Sequence, residues 1–178
     1  GFSVEQVLEL CKGASTTTEV AVLANINDPA QIVISGDPPA IDRAVEAAKA
    51  AGAKRAIPLP VSGAFHSPLV EHAAGPIREA LEPLHFKAPS CIFVNNVDAR
   101  VQTDPAYIKE ALVKQVTNSV RWVESVECLV TQGVEVFVEV GSGKVLSGLV
   151  RRINKDIPCY TTESAAARGP LPPREGRR

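Results

Sequence analysis

The sequence predicts an α/β protein in which a parallel sheet covered by helices on both faces follows a smaller α+β unit. Three observations carry that expectation. Apolar residues recur at helical spacing in segments separated by short β-branched runs. The first five elements read helix, strand, strand, helix, strand, and beyond them strands and helices alternate, as parallel sheets require.

Val4, Val7, Leu8, Leu10 and Cys11 fit one helical face that Gly13 ends. After a Ser/Thr run, residues 19–24 form a short apolar strand, Asn25-Ile26-Asn27-Asp28-Pro29 a turn, and residues 31–36 a second strand. Asp37-Pro38-Pro39 opens a helix with a stripe of Ile41, Ala44, Val45 and Ala48, ended by Gly52, and residues 54–58 form a third strand. That order is a ferredoxin-like split unit lacking its first strand. The chain also starts at Gly1 and contains no methionine, so the expectation is a piece of a longer chain.

Residues 58–68 form a stiff connection. Pro58 and Pro60 lack a backbone donor, which ends ladder pairing, and Ser67-Pro68 is a favoured N-cap and first-turn pair. The loop thereby holds His66 at a helix entrance. A histidine there can take a proton from a nucleophile and return it to a leaving group, or merely satisfy a loop carbonyl. Leu69, Ile77, Ala80, Leu81 and Leu84 give a helix kinked at Gly75-Pro76, residues 91–95 a buried strand, and residues 96–105 a loop. Helices follow around Ile108, Leu112 and Val113, and around Trp122, Val126, Leu129 and Val130. Residues 134–140 form a strand that Gly141-Ser142-Gly143 turns into a helix bearing Val145, Leu146, Leu149 and Ile153, and residues 157–161 a last short strand. The tail lacks apolar periodicity and reads as disordered. The expected organisation is a small subdomain over residues 1–60, a second over 61–164 and a tail over 165–178.

The formal net charge is −1 and basic residues are scattered except in the tail, so neither nucleic acid nor an anionic membrane is expected as a partner. Cys11, Cys91, Cys128 and Cys159 lie far apart with no CxxC pair, which argues against a metal site and for reduced thiols in a cytoplasmic setting. No apolar run reaches the length of a membrane span, and the first residues of this sequence do not show a charged n-region followed by an apolar h-region.

Other candidates each carry two readings. Glu139-Val140-Gly141-Ser142-Gly143-Lys144-Val145 could hold an anion at a helix start, yet it fails both the Walker A and the GxGxxG patterns, and a tight turn for close strand-helix packing is the favoured reading. Asn25, Asn27, Asn95 and Asn96 stand at predicted strand ends, where they either face a cleft or make turns. Asp98 either orients His66 or caps its loop, while His72 and His85 have no partner at ligand spacing. Ser67 reads as a cap. No G-x-S-x-G pentapeptide occurs in the sequence.

Four segments together carry a family resemblance: Ala24-Asn25-Ile26-Asn27-Asp28-Pro29 with Gln31-Ile32-Val33-Ile34-Ser35-Gly36; Ala51-Gly52-Ala53-Lys54-Arg55-Ala56-Ile57-Pro58-Leu59-Pro60-Val61-Ser62; Gly63-Ala64-Phe65-His66-Ser67-Pro68; and Glu139-Val140-Gly141-Ser142-Gly143-Lys144-Val145-Leu146. In this order and spacing, residues 1–164 resemble the C-terminal part of the malonyl-CoA:acyl carrier protein transacylase family. The resemblance implies an α/β-hydrolase-like subdomain with the ferredoxin-like unit inserted in it. It implies that a serine in a G-H-S-x-G elbow takes malonyl from malonyl-CoA and passes it to the phosphopantetheine thiol of acyl carrier protein, with no further cofactor and no metal. His66 matches the general base, and Gln115 the position whose backbone carbonyl orients it. Asn25, Asn27 and Phe65 are the substrate-binding candidates, with the Phe65 ring filling the space of an α-methyl group. The elbow, the oxyanion-hole residues and the arginine for the malonyl carboxylate are absent from this sequence, so the chain alone is expected to be inactive and the full-length protein monomeric. Two alternatives stand beside this: part of a polyketide or fatty acid synthase acyltransferase domain, and a non-catalytic module that binds a carrier protein or a subunit.

Overall fold

The computed structural model describes residues 1–61 and 63–162. Helix α1 (Val4–Ala14) starts at a capping box in which Ser3 Oγ accepts from the Gln6 amide and Gln6 Oε1 accepts from the Ser3 amide. Its buried residues, Val7, Cys11 and Ala14, follow helical spacing and lie against an antiparallel hairpin of β1 (Ala21–Asp28) and β2 (Gln31–Gly36). Helix α2 (Pro38–Ala50) has Asp37 as N-cap and proline in its first turn, and it buries Ala40 and Ala44 in the same core. These small residues let α2 sit close to the hairpin. Gly36 is required where β2 ends, because a Cβ there would stand 2.0 Å from the Val20 carbonyl oxygen. Asp37 then ties the crossing, its Oδ2 accepting from the Val20 amide at 2.8 Å.

The predicted turn at residues 25–29 is shorter than expected. Strand β1 continues through Asp28, and register shifts at Leu23/Asn25 and Ile26/Asp28 absorb the polar residues as bulges. Asp28 is buried, and its carboxylate both closes the turn, accepting from the Ala30 amide at 2.8 Å, and accepts from Arg152 Nε at 2.6 Å.

Two predicted strands are not formed. Residues 54–58 are irregular and Ile57 is exposed, because no neighbouring strand among the described residues pairs with them. Without that partner, Pro58 and Pro60 further weaken any ladder. Residues 91–95 form only an isolated bridge, Val94 to Val101, with Ile92 exposed. An apolar run becomes a strand only beside another strand.

Beyond the loop, a 3₁₀ helix (Pro68–Ala73) leads into α3 (Ala74–Leu81). The irregularity falls at Val70 (φ −102°, ψ 16°) rather than at Gly75-Pro76, because Pro76 lies in the first turn of α3, where no amide donor is needed. Helix α4 (Pro105–Lys114) is capped by Asp104, and α5 (Trp122–Thr131), β3 (Phe137–Glu139), α6 (Val145–Ile153) and β4 (Cys159–Thr161) complete the chain. Strands β3 and β4 pair in parallel, Phe137 opposite Cys159, each shorter than the apolar run that predicted it. Val126, Val150 and Cys159 form the second core, with Trp122, Val130, Phe137 and Ile153 around them. The result is a mixed α/β architecture with one antiparallel and one parallel strand pair.

Hydrogen bonds join the two halves. Val120 donates to the Ala24 carbonyl at 2.8 Å and accepts from the Ile26 amide at 2.9 Å, and Asp28 meets Arg152. The four cysteines are unpaired. No helix among the described residues is long and apolar enough to cross a membrane. The expected disordered tail, residues 165–178, lies outside the described residues.

Candidate active site

His66 is the residue around which a site assembles. Its backbone lies in the left-handed region, φ 58°, one of two non-glycine residues there among those described. Ser67 locks the conformation from below. Wholly buried, it donates its hydroxyl to the Ala64 carbonyl at 2.6 Å and accepts from the Leu69 amide at 3.3 Å, so it serves as the N-cap of the 3₁₀ helix. This leaves the half-buried imidazole of His66 facing the end of α4.

There Nδ1 lies 2.9 Å from the Gln115 carbonyl oxygen. A carbonyl only accepts, so Nδ1 carries the proton and donates, and Nε2 of the neutral ring keeps its lone pair for another donor. That carbonyl is available because Gln115 is the C-cap of α4, where carbonyls lack intrahelical partners and the helix presents its negative end. The position is fixed by the segment that follows. Ser119 Oγ donates to the Leu23 carbonyl at 2.5 Å, and the Val120 bridge continues the attachment to β1.

A cleft of about 380 Å³ opens beside the ring, lined by His66, Leu8, Cys11, Lys12, Thr117 and Asn118 among others. Burial pushes the Cys11 thiol up to about 11, so it is no thiolate nucleophile at neutral pH. Phe65 projects beside His66, 59% exposed, with its ring against Gly63.

The structure thus brings His66 and the Gln115 carbonyl together and leaves the exposed Phe65 ring and the two asparagines outside the cleft lining. Asn25 and Asn27 are half-buried on β1 and do not line this cleft. Asp98 does not meet His66. Burial works against its charge, but hydrogen bonds from Tyr107 Oη, the Arg100 amide and Gln102 hold its carboxyl below the usual carboxylate range. It is a loop cap, as are Asn95, which accepts from the Val97 and Asp98 amides, and Asn96, which accepts from Ser125. His72 and His85 are exposed. The candidate anion site at the start of α6 is occupied by a side chain of the protein itself. The Glu139 carboxylate accepts from the Ser147 amide at 2.8 Å and the Leu146 amide at 3.1 Å, and these bonds hold its pKa below the ordinary value. The glycines serve the turn itself, with positive φ at Gly141 (129°) and Gly143 (89°), and leave open space around both.

Residues 3–166 match the model of the acyl transferase domain. The chain belongs to that family. It is 46% identical over 167 residues to the malonyl CoA-acyl carrier protein transacylase of Salmonella typhimurium, which covers 94% of this chain and 54% of that protein. The Bacillus subtilis protein of the same name is 43% identical, with 87% of this chain and 49% of that protein covered. Among solved structures, the acyl-carrier-protein S-malonyltransferase of Burkholderia pseudomallei superposes with a TM-score of 0.88 at 44% identity, covering 94% of this chain and 54% of that one. A malonyl-transacylase in complex with its type II polyketide synthase acyl-carrier protein superposes at 0.87 with 39% identity and the same coverage. The chain spans about half the length of the relatives it matches.

Ser119 and the side chain of Gln115 were not singled out from the sequence. A serine and a glutamine in a polar run after a helix carry no pattern that marks them; only the contact across 96 residues from Ser119 to Leu23 does.

Proposed function

We propose that this chain is the histidine-bearing part of an acyltransferase that moves malonyl from malonyl-CoA to the phosphopantetheine thiol of acyl carrier protein. The observation that supports it is the His66 Nδ1 to Gln115 carbonyl bond, which leaves Nε2 as the acceptor. The nucleophilic serine belongs to the part of the family fold that these residues do not include. In the assembled site, His66 Nε2 takes the serine proton as the oxygen attacks the malonyl thioester carbonyl. The proton then goes to the departing coenzyme A thiol, leaving a malonyl ester on the serine. In the second half His66 takes the proton of the phosphopantetheine thiol, the thiol attacks the ester, and the proton returns to the serine oxygen. No metal or further cofactor takes part in this reading.

Residues 1–60 are read as the ferredoxin-like insert, without its first strand, and residues 61–164 as part of an α/β-hydrolase-like subdomain. Phe65 favours malonyl over an α-methylated donor, a discrimination worth ~1–3 kcal/mol for a methyl-sized difference. Asn25 and Asn27 are read as substrate-binding through contacts completed by the remainder of the fold. The full-length protein is read as a monomer of the cytoplasm.

The test joins residues 1–178 to the serine-bearing half of the Salmonella relative and follows labelled malonyl from malonyl-CoA to acyl carrier protein. Transfer is expected, with His66→Ala lowering it by about 10²–10⁴-fold, the range for loss of a general base. The unjoined chain is expected to stay unlabelled. Equal transfer by parent and His66→Ala would instead assign the chain to a carrier-binding role.

A further inference from the structure

We infer that the side-chain amide of Gln115, and not its carbonyl alone, is a positioning element for His66; this rests on the reading of His66 as the base. Every residue has a backbone carbonyl, so the orienting role does not by itself call for glutamine. What glutamine adds at this place is visible in its bonds. Gln115 Nε2 donates to the Asn118 carbonyl at 2.8 Å and to the Ser119 carbonyl at 3.3 Å. It thereby bridges the turn that leaves α4, tying the residue that faces His66 to the far side of that turn.

The two ends of the bridge are themselves anchored. On the α4 side, Asn118 Nδ2 donates to the Lys114 carbonyl at 2.7 Å, closing the helix end. On the sheet side, Ser119 Oγ reaches Leu23 and Val120 pairs with Ala24 and Ile26. The Gln115 amide connects one anchor to the other, so the carbonyl at 2.9 Å from Nδ1 inherits the rigidity of β1. With the donors removed, the peptide plane after Gln115 keeps only the bond from the Val116 amide to the Val113 carbonyl at 3.2 Å and loses its tie to the far side of the turn, so the contact that selects the Nδ1-protonated tautomer of the imidazole is held less firmly.

The test is made on the joined protein. Gln115→Met keeps the side chain's length and helix preference and removes both donors. We expect kcat to fall about tenfold with KM for malonyl-CoA unchanged, and the ¹⁵N spectrum of labelled histidine to lose the Nδ1-protonated signature of His66. Gln115→Lys, which restores donors at similar reach, is expected to recover most of the loss. Parental kcat and an unchanged His66 spectrum in Gln115→Met, with His66→Ala still inactive, would overturn the positioning role alone. Parental transfer in His66→Ala would overturn the reading beneath it. Should Gln115→Met unfold, the unmutated protein carries the test: slowly exchanging Gln115 amide protons support the bridge, and exchange at the rate of a free amide refutes it.

Discussion

Asp28→Ala removes a buried carboxylate that links the hairpin to α6. The carboxylate is 2% exposed and makes two bonds, one from Arg152 Nε at 2.6 Å and one from the Ala30 amide at 2.8 Å. A hydrogen bond to a charged group contributes about 1.5–3 kcal/mol and the neutral amide bond about 1 kcal/mol. Losing one partner of a fully buried pair costs about 3–5 kcal/mol, chiefly through the stranded charge. Here the Arg152 side chain is 53% exposed and regains water, so that penalty is discounted and the expected loss is about 2–4 kcal/mol. Asp28→Asn keeps an acceptor for Ala30 and should lose only about 1–2 kcal/mol. The assay is urea unfolding followed by circular dichroism. At a slope of about 2 kcal/mol/M the alanine variant should unfold at a midpoint about 1–2 M lower. A double-mutant cycle with Arg152→Met isolates the pair. A midpoint within ~0.2 M of the parent, or a coupling energy near zero, refutes the argument that Asp28 links the hairpin to α6.

Gly36→Ala places a Cβ against the Val20 carbonyl and should destabilise by about 1–3 kcal/mol, read in the same unfolding assay. For Glu139, whose folded pKa lies below its unfolded value, the stabilising effect is complete above the unfolded value of about 4.5 and is lost as pH falls through the depressed folded value. Melting temperature followed from pH 6 to pH 3 should therefore drop more steeply in the parent than in Glu139→Gln, and parallel curves would contradict the cap. Iodoacetamide at pH 8 should label exposed Cys91 while buried Cys11, with its thiol at about 11, reacts only after unfolding, a difference that peptide mass spectrometry reads directly.

What could be read from the chain depended on how local each feature is. Helices α1, α2, α5 and α6 were legible because their caps and apolar spacing lie within one segment: Ser3 with Gln6, Asp37 before Pro38, Gly133 after α5. The runs at 54–58 and 91–95 misled because strand formation depends on a neighbour, and an apolar run of that length carries no record of whether one exists. The length of β1 was underestimated since Asn25 and Asn27 are turn formers by habit, and only the bulges accommodate them. At the site, the His66 loop was legible from Pro58, Pro60 and Ser67-Pro68. Its partner was not, because a backbone carbonyl has no side-chain signature; Gln115 came from family likeness, while Asp98, the acid that side-chain logic offered, binds Tyr107 instead.

The left-handed angle of His66 sets what a substitution there would do. Histidine tolerates that region better than most residues, yet it holds it at some strain that glycine would not feel. Replacing His66 with glycine would relieve that torsion but would lose the imidazole's bond to the Gln115 carbonyl and add freedom to the unfolded chain, so the two effects oppose each other. The strain thus sits at the residue whose ring the loop presents to the Gln115 carbonyl, written in a torsion rather than in a motif.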